Sequence, residues 1–333
     1  MSPKYKLYYT YIYIRKMWIG NETFATLPLI VILFAGMALN EAKSKFSELL
    51  LAIDPKERED FVNWIKNSEE IDDFVSDSRI QILESIAETM RTLLPLSGIL
   101  STEKVLGSQN PHEEHIDAFL FCDDVLDELC DEGKMSRHYC TTCGSKTTQK
   151  LELISHSFSS WELKWLFTKM LPDLTNKVIL DVGSRLGCVL YAASEYTEAS
   201  RIIGVEMSQE MCALQQSIVE QYKYSDRVEI VCSDIRAAEN HLKTADVIIL
   251  NNVFEHFMSN EDQMKCWDLI FGCVKRKGVT IVTVPSLEDS LDKLSGGLPD
   301  NWVQEQQCEI DEELVPDECD VEALQEIHIY TVM

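Results

Sequence analysis

The chain has 333 residues, enough for two modest domains that each bury their own core. Hydrophobic residues make up 45% and aromatics 9%, which excludes a disordered chain. Against 56 acidic residues stand 30 basic ones, and the resulting charge of −26 repels phosphate backbones. It therefore disfavours nucleic acid as a partner and suits solubility and cationic substrates.

Residues 24–39 form an uncharged apolar run preceded by Lys4, Lys6, Arg15 and Lys16. As a membrane span it is short against the ~20 residues a spanning helix needs, and it contains Pro28. As a signal peptide it has a small-x-small site at Gly36-Met37-Ala38 but a long leader. The reading adopted is that Met37 is the biological start and residues 1–36 are an extension. Membrane association through residues 24–39 is the alternative. A chain beginning at Met37 is then expected to stay soluble.

From residue 37 to about 135 the pattern is acidic and helical. Asp54-Pro55-Lys56-Glu57 joins a capping residue, a proline at the first helical position and a glutamate placed to return the cap. Phe61, Trp64 and Ile65 follow at helical spacing. Ile80, Ile82, Leu83, Ile86, Met90 and Leu93 make a second stripe that closes before Pro95. Phe119, Leu120, Val125, Leu126 and Leu129 repeat the theme against an acidic face. The region reads as a helical bundle or lid, with substrate selection as the sharper alternative.

Residues 136–158 read as a linker holding Cys140-Thr141-Thr142-Cys143-Gly144. Two thiolates at that spacing resemble half of a structural zinc site, with Cys140 and Cys143 as ligands. Cys122, Cys130, His138 and His156 are candidates to complete it at irregular spacing, and two free thiols in a surface turn are the competing and slightly preferred reading. All eleven cysteines lie at or after Cys122, several inside apolar helix or strand patterns. Such scatter implies reduced thiols and a cytoplasmic protein, not a disulfide framework.

Residues 159–333 alternate short apolar strands with helical segments, the mark of a mostly parallel α/β sheet covered on both faces. Ser159-Ser160-Trp161-Glu162 fits a capping box, opening a helix that Pro172 ends. Strands are expected at 178–182, 201–206, 227–232, 245–250 and 279–284, with helices most clearly at 208–219 and 261–273. Ligands of such sheets lie across the carboxyl ends of the strands. The first strand ends in Asp181-Val182-Gly183-Ser184-Arg185-Leu186-Gly187, the second in Glu206. Glu206 follows Gly183 at the distance from which a carboxylate reads a ribose diol. The third is followed by Ser233-Asp234-Ile235, with Asp234 able to accept from an amino group or to cap a helix. The fourth runs into Asn251-Asn252-Val253-Phe254-Glu255-His256. A G-x-x-x-G turn two residues after an aspartate is ill-suited to pyrophosphate and well suited to a cation.

Residues 177 to 284 resemble the class I S-adenosylmethionine (SAM)-dependent methyltransferases, which are Rossmann-like. The likeness is to the type 11/12-like group, whose fourth strand leads to Glu-His. The resemblance implies that Asp181 and the turn of Gly183, Ser184, Arg185 and Gly187 hold the methionine end of SAM. It implies Glu206 at the ribose, Asp234 and Ile235 at the adenine, and Asn251 and Asn252 beside the methyl group. Arg185 departs from the family's usual middle glycine, and three readings are open for its guanidinium: facing solvent, meeting the SAM carboxylate in a charge-assisted contact, or weakening cofactor binding. His256 is the first candidate for a general base, since an unperturbed imidazole titrates near neutrality; Glu255 is the second.

The Asn-Pro-Pro-Tyr motif of enzymes acting on nucleic-acid bases is missing, as is the paired-glutamate loop of arginine methyltransferases. A small molecule or a protein side chain is therefore the expected methyl acceptor. The alternative is a non-catalytic SAM-binding or interaction module. After Pro285 the chain is strongly acidic. Residues 327–332 alternate like a last strand, and the span before it, containing Trp302, is expected to be an acidic loop, with a partner strand for 327–332 as the alternative.

Overall fold

The structure is a computed structural model. It describes residues 39–67, 69–95, 98, 113–140, 148–150, 152–154, 157–254, 258–292, 294, 297–308, 310, 315–316 and 319–333. Residues 1–71 and 72–333 are two compact units. All of the apolar run 24–39 but its last residue lies outside the described residues, among which no helix is long and apolar enough to cross a membrane.

In the first unit, α1 (Leu39–Ala52) and α2 (Arg58–Asn67) flank the turn at Asp54, whose carboxylate accepts the Lys56 N–H at 2.9 Å. The Arg58 guanidinium donates to the Leu51 and Ile53 carbonyls, acceptors that α1 leaves open at its end. Phe61 and Trp64 stack 5.6 Å apart, yet no residue of α2 is buried. Spacing revealed this stripe but not what covers it.

Helix α3 (Glu69–Leu93) carries the second stripe, and here Ile80, Leu83, Ile86 and Met90 are buried. Ser85 and Thr89 on the same helix meet the Tyr222 hydroxyl at 3.0 and 3.1 Å. Next come β1 (Glu113–His115), α4 (Asp123–Asp131), β2 (His138–Cys140), β3 (Thr148–Lys150) and β4 (Glu152–Ile154). Strand β1 pairs in parallel with β4, and β2 antiparallel with β3. Among its described residues the acidic region is thus helical with one strand, β1, added, a segment too short to show a period.

Helix α5 (Ser160–Trp165) begins with both bonds of the expected capping box: Glu162 N–H to Ser159 Oγ at 3.2 Å and Ser159 N–H to the Glu162 carboxylate at 3.1 Å. A single π-helical turn, Leu166–Met170, follows before Pro172. Then the sheet is laid down by β5 (Val178–Val182), α6 (Cys188–Tyr196), β6 (Arg201–Glu206), α7 (Gln209–Gln221), β7 (Val228–Cys232), α8 (Glu239–Thr244), β8 (Val247–Asn251), α9 (Asn260–Cys273) and β9 (Thr280–Val284). It is completed by α10 (Leu287–Asp292), β10 (Val303–Gln306), α11 (Val321–Gln325) and β11 (His328–Val332). Each expected strand is present, within two residues at either end.

The seven strands lie in the order β10-β11-β9-β8-β5-β6-β7. Strands β5 to β9 run parallel, and β11 inserts antiparallel between β9 and β10. This is the Rossmann-like, mostly parallel architecture expected. Alternation along each strand sends residues to opposite faces. Ile179, Ile202 and Ile249 join the core that includes α6, whereas Leu180, Ile203 and Ile248 join the core that includes Leu242, Trp267 and Ile270. From β5 the chain builds outward through β6 and β7, then returns to place β8 on the other side of β5. The crevice at their carboxyl ends is the switch point where such sheets bind ligands.

The loop preferred for the span containing Trp302 gives way to the alternative, a partner strand: β10 pairs with β11. Its residues are mostly exposed, so the backbone ladder holds it and no hydrophobic alternation announced it. Strand β11 is the reverse case, with Ile329, Tyr330 and Val332 all buried. The Tyr330 hydroxyl accepts the Leu287 N–H at 3.1 Å. Deleting residues 326–333 removes four buried side chains, Ile327 with those three, worth about 1.5–3 kcal/mol each, a large part of a typical folding free energy. The expected outcome is loss of cooperative thermal unfolding; an unchanged midpoint would make this strand a dispensable tail.

Candidate functional site

The carboxyl ends of β5, β6 and β8 bring the expected residues together. Asp181, next to last in β5, is 4% exposed, and Glu206, the last residue of β6, is 8% exposed. Burial pushes the Asp181 carboxyl up to about 8, and the nearby Glu206 charge adds to the rise. Glu206 is itself well supplied with donors. Its Oε2 accepts the Arg185 N–H at 3.0 Å and its Oε1 the Ser208 N–H at 2.8 Å.

The turn after β5 is built around left-handed backbone. Gly183 has φ +72°, and its N–H donates to the Val205 carbonyl at 2.8 Å. A Cβ there would lie 2.5 Å from the Val253 side chain, so both conformation and space require glycine. Gly187 (φ +83°) starts α6, and a Cβ would meet the Tyr191 hydroxyl at 2.6 Å. Arg185 lies between them at φ +43°, a conformation that costs a non-glycine residue on the order of 1–3 kcal/mol.

Several contacts hold Arg185 there. Gln215, fully buried on α7, donates to the Arg185 carbonyl at 2.7 Å and accepts from the Ser184 hydroxyl at 2.9 Å. The Arg185 guanidinium reaches away from the turn, donating to the Gly98 carbonyl at 2.8 Å and ion-pairing with Asp117 at 2.5 Å. Arg185 is therefore neither a free solvent-facing cation nor a group held ready for a ligand carboxylate. Sequence reasoning missed Gln215 and Asp117. The signal for Gln215 was available: it occupies a core position of a stripe otherwise made by Met211, Cys212, Ile218 and Val219. Asp117 gave none, because its partner is 68 residues away.

Asp234 caps the short 3-10 turn Ile235–Ala237 by accepting the Arg236 N–H at 2.8 Å. The Arg236 side chain also forks onto its carboxylate, with Nη2 at 2.6 Å from Oδ2, and holds Asp234 below the usual carboxylate range. Ile235 is buried in the core beneath. Asn251 ends β8. Asn252 (φ +48°) donates its N–H to the Val284 carbonyl at 2.7 Å and its side-chain amide to Asn251 Oδ1 at 3.0 Å. Glu255 and His256 lie outside the described residues. So does Cys143; Cys140 ends β2. Among the described residues no cluster of His, Cys, Asp and Glu has the makings of a metal site.

The buried carboxyl pair identifies the kind of ligand this crevice fits. For Asp181, burial and Glu206 both act against ionisation. A ligand carrying positive charge at the β5 end and a hydrogen-bonding diol near Glu206 would offset both. SAM has an ammonium, a sulfonium and a ribose diol, so the residues present fit it.

A family profile described as a methyltransferase domain matches residues 179–278, the segment holding Asp181, the glycine turn, Glu206, Asp234 and Asn251. Residues 179–278 are thus a methyltransferase domain. The chain is similar to the carboxy-S-adenosyl-L-methionine synthase of Idiomarina loihiensis, 31% identical over 110 residues, which is 32% of this chain and 44% of that protein. The synthase of the same name from Glaesserella parasuis is 28% identical over 120 residues, covering 35% and 48% respectively. The chain thus spans less than half the length of these two curated relatives. Among solved structures, an RNA methyltransferase from Salinibacter ruber in complex with S-adenosyl-L-homocysteine is 18% identical. It covers 48% of this chain and 83% of its own, with a TM-score of 0.31. A SAM-dependent O-methyltransferase from Thermotoga maritima is 16% identical, covering 53% and 65%, with a TM-score of 0.35.

Proposed function

We propose that residues 159–333 bind SAM and transfer its methyl group to a small molecule or a protein side chain. The observation that carries this reading is the buried Asp181–Glu206 carboxyl pair flanking the Gly183–Gly187 turn at the sheet's switch point. SAM supplies an activated methyl carbon when bound. What remains for the protein is to hold nucleophile, methyl and sulfur in line, a gain from proximity and orientation. Asp181 would pair with the ammonium, Glu206 would accept from the ribose hydroxyls, and Ile235 would offer an apolar surface to the adenine. Asp234 would accept from the adenine amino group in exchange for part of its fork with Arg236. Asn251 and Asn252 would line the acceptor side, with His256 or Glu255 as base where the acceptor must lose a proton. The charge of −26 supports a neutral or cationic acceptor ahead of nucleic acid. The free thiols among the described cysteines support a reducing, cytoplasmic setting.

The test is titration calorimetry of the full chain with SAM and S-adenosylhomocysteine, followed by methyl-transfer assays over a panel of amines, thiols, hydroxyls and peptides. Saturable binding of both nucleosides is expected. A Gly183→Arg variant should lose it, because the added side chain enters the Val253 contact from a φ of +72°. Equal binding by that variant would place the cofactor elsewhere, and binding without any turnover would favour a non-catalytic module.

A further inference from the structure

Asp117 lies in the segment between β1 and α4, before the sheet begins, and is 4% exposed. Three donors reach its carboxylate: the Leu120 N–H at 2.9 Å, the Ser157 hydroxyl at 2.6 Å and the Arg185 guanidinium. A buried carboxylate stripped of its cation is strongly unfavourable, so Asp117 and Arg185 require one another. The neighbours are shared as well. Phe119 lies 6.4 Å from the Tyr191 ring on α6, and the Tyr191 hydroxyl donates to the Leu186 carbonyl within the turn at 2.8 Å.

The other end of Arg185 faces the site, for its main-chain N–H donates to Glu206 Oε2. One residue thus connects a buried carboxylate outside the sheet to the carboxylate assigned to the ribose. We propose that Asp117 is a positioning residue. Through the Arg185 guanidinium it holds the turn in its left-handed form and so keeps the Arg185 N–H aimed at Glu206. A glycine at position 185 would adopt this φ without help. Arginine adopts it because the upstream segment restrains its side chain, which makes cofactor affinity depend on residues 98 and 117. The proposal rests on the SAM reading above.

The experiment compares the full-length protein with Arg185→Lys and with the double variant Asp117→Asn/Arg185→Gly. The double variant leaves no lone buried charge and suits φ +43°, so its thermal midpoint should stay within about 5 °C of the parent. Its SAM dissociation constant should nevertheless rise about tenfold, because glycine can reach this φ but is not confined to it once the Asp117 restraint is gone. Arg185→Lys keeps the charge but loses the fork to both partners, and should fall between the two. A well-folded double variant that binds SAM as tightly as the parent would overturn the proposal. Should the double variant fail to fold, Arg185→Lys decides: parental midpoint with weakened binding supports the positioning role, and parental binding refutes it. Failure of the parent itself to bind SAM would defeat the cofactor reading and this inference with it, an outcome the parent titration reveals separately.

Discussion

Replacing Glu206 by alanine is expected to weaken SAM binding by roughly a hundredfold while leaving the sheet folded. Two losses combine. The ribose diol loses a charged acceptor, and hydrogen bonds to charged groups contribute about 1.5–3 kcal/mol. The Arg185 and Ser208 N–H groups, which both end on this carboxylate, lose their acceptor, so the turn and the start of α7 relax away from the productive shape. Glu206→Gln separates the effects. It keeps one acceptor oxygen but presents an amide donor to one of those N–H groups, so it should fall between parent and alanine. Calorimetric titration of SAM reads both variants, and parental affinity in Glu206→Ala would remove this residue from the site.

The second large effect is a pH dependence centred on Asp181. With its carboxyl pushed up to about 8, the group is largely protonated in the free protein at neutral pH. An ammonium beside it favours the ionised form, so SAM binding should expel a proton. The free state then holds more protons than the complex, and apparent affinity must rise with pH, by up to about tenfold per unit, until the free-state value near 8 is passed. Above that, the ligand's own amino group begins to lose its proton, at about 8 for an α-amine, and affinity should decline. The acid limb therefore belongs to the protein and the alkaline limb to SAM. Titration in buffers of different ionisation enthalpy counts the protons released. Asp181→Asn should flatten the acid limb and abolish the release, whereas a parent with no acid limb would contradict the assignment. Because Glu206 adds to the rise, Glu206→Ala should shift the limb toward lower pH.

Much of this architecture was legible in the residues. The strands β5, β6, β8 and β9 are nearly continuous apolar runs, since helices cover both faces and no alternation is required of them. The residues ending those runs were equally legible, because position after a strand implies position at the ligand edge. Strand β10 was not, since its support is a backbone ladder to β11 and its side chains face water. The outward stripe of Phe61 and Trp64 shows the converse, a pattern present without the burial it usually signals.

Within the site the division follows interaction range. Backbone demands are local, so the glycines at 183 and 187 could be placed in a left-handed turn, and the acidic residues at 181 and 206 at strand ends, from their spacing alone. The cap at Asp234 was similarly visible, because its first partner is two residues away. What only the tertiary structure decided is how Arg185 is satisfied. A guanidinium in the cofactor turn was compatible with solvent, with the SAM carboxylate or with weakened binding. Packing assigned it instead to Asp117 and Gly98, 68 and 87 residues upstream, because a buried carboxylate there needs a cation and the turn's left-handed backbone aims Arg185 toward it.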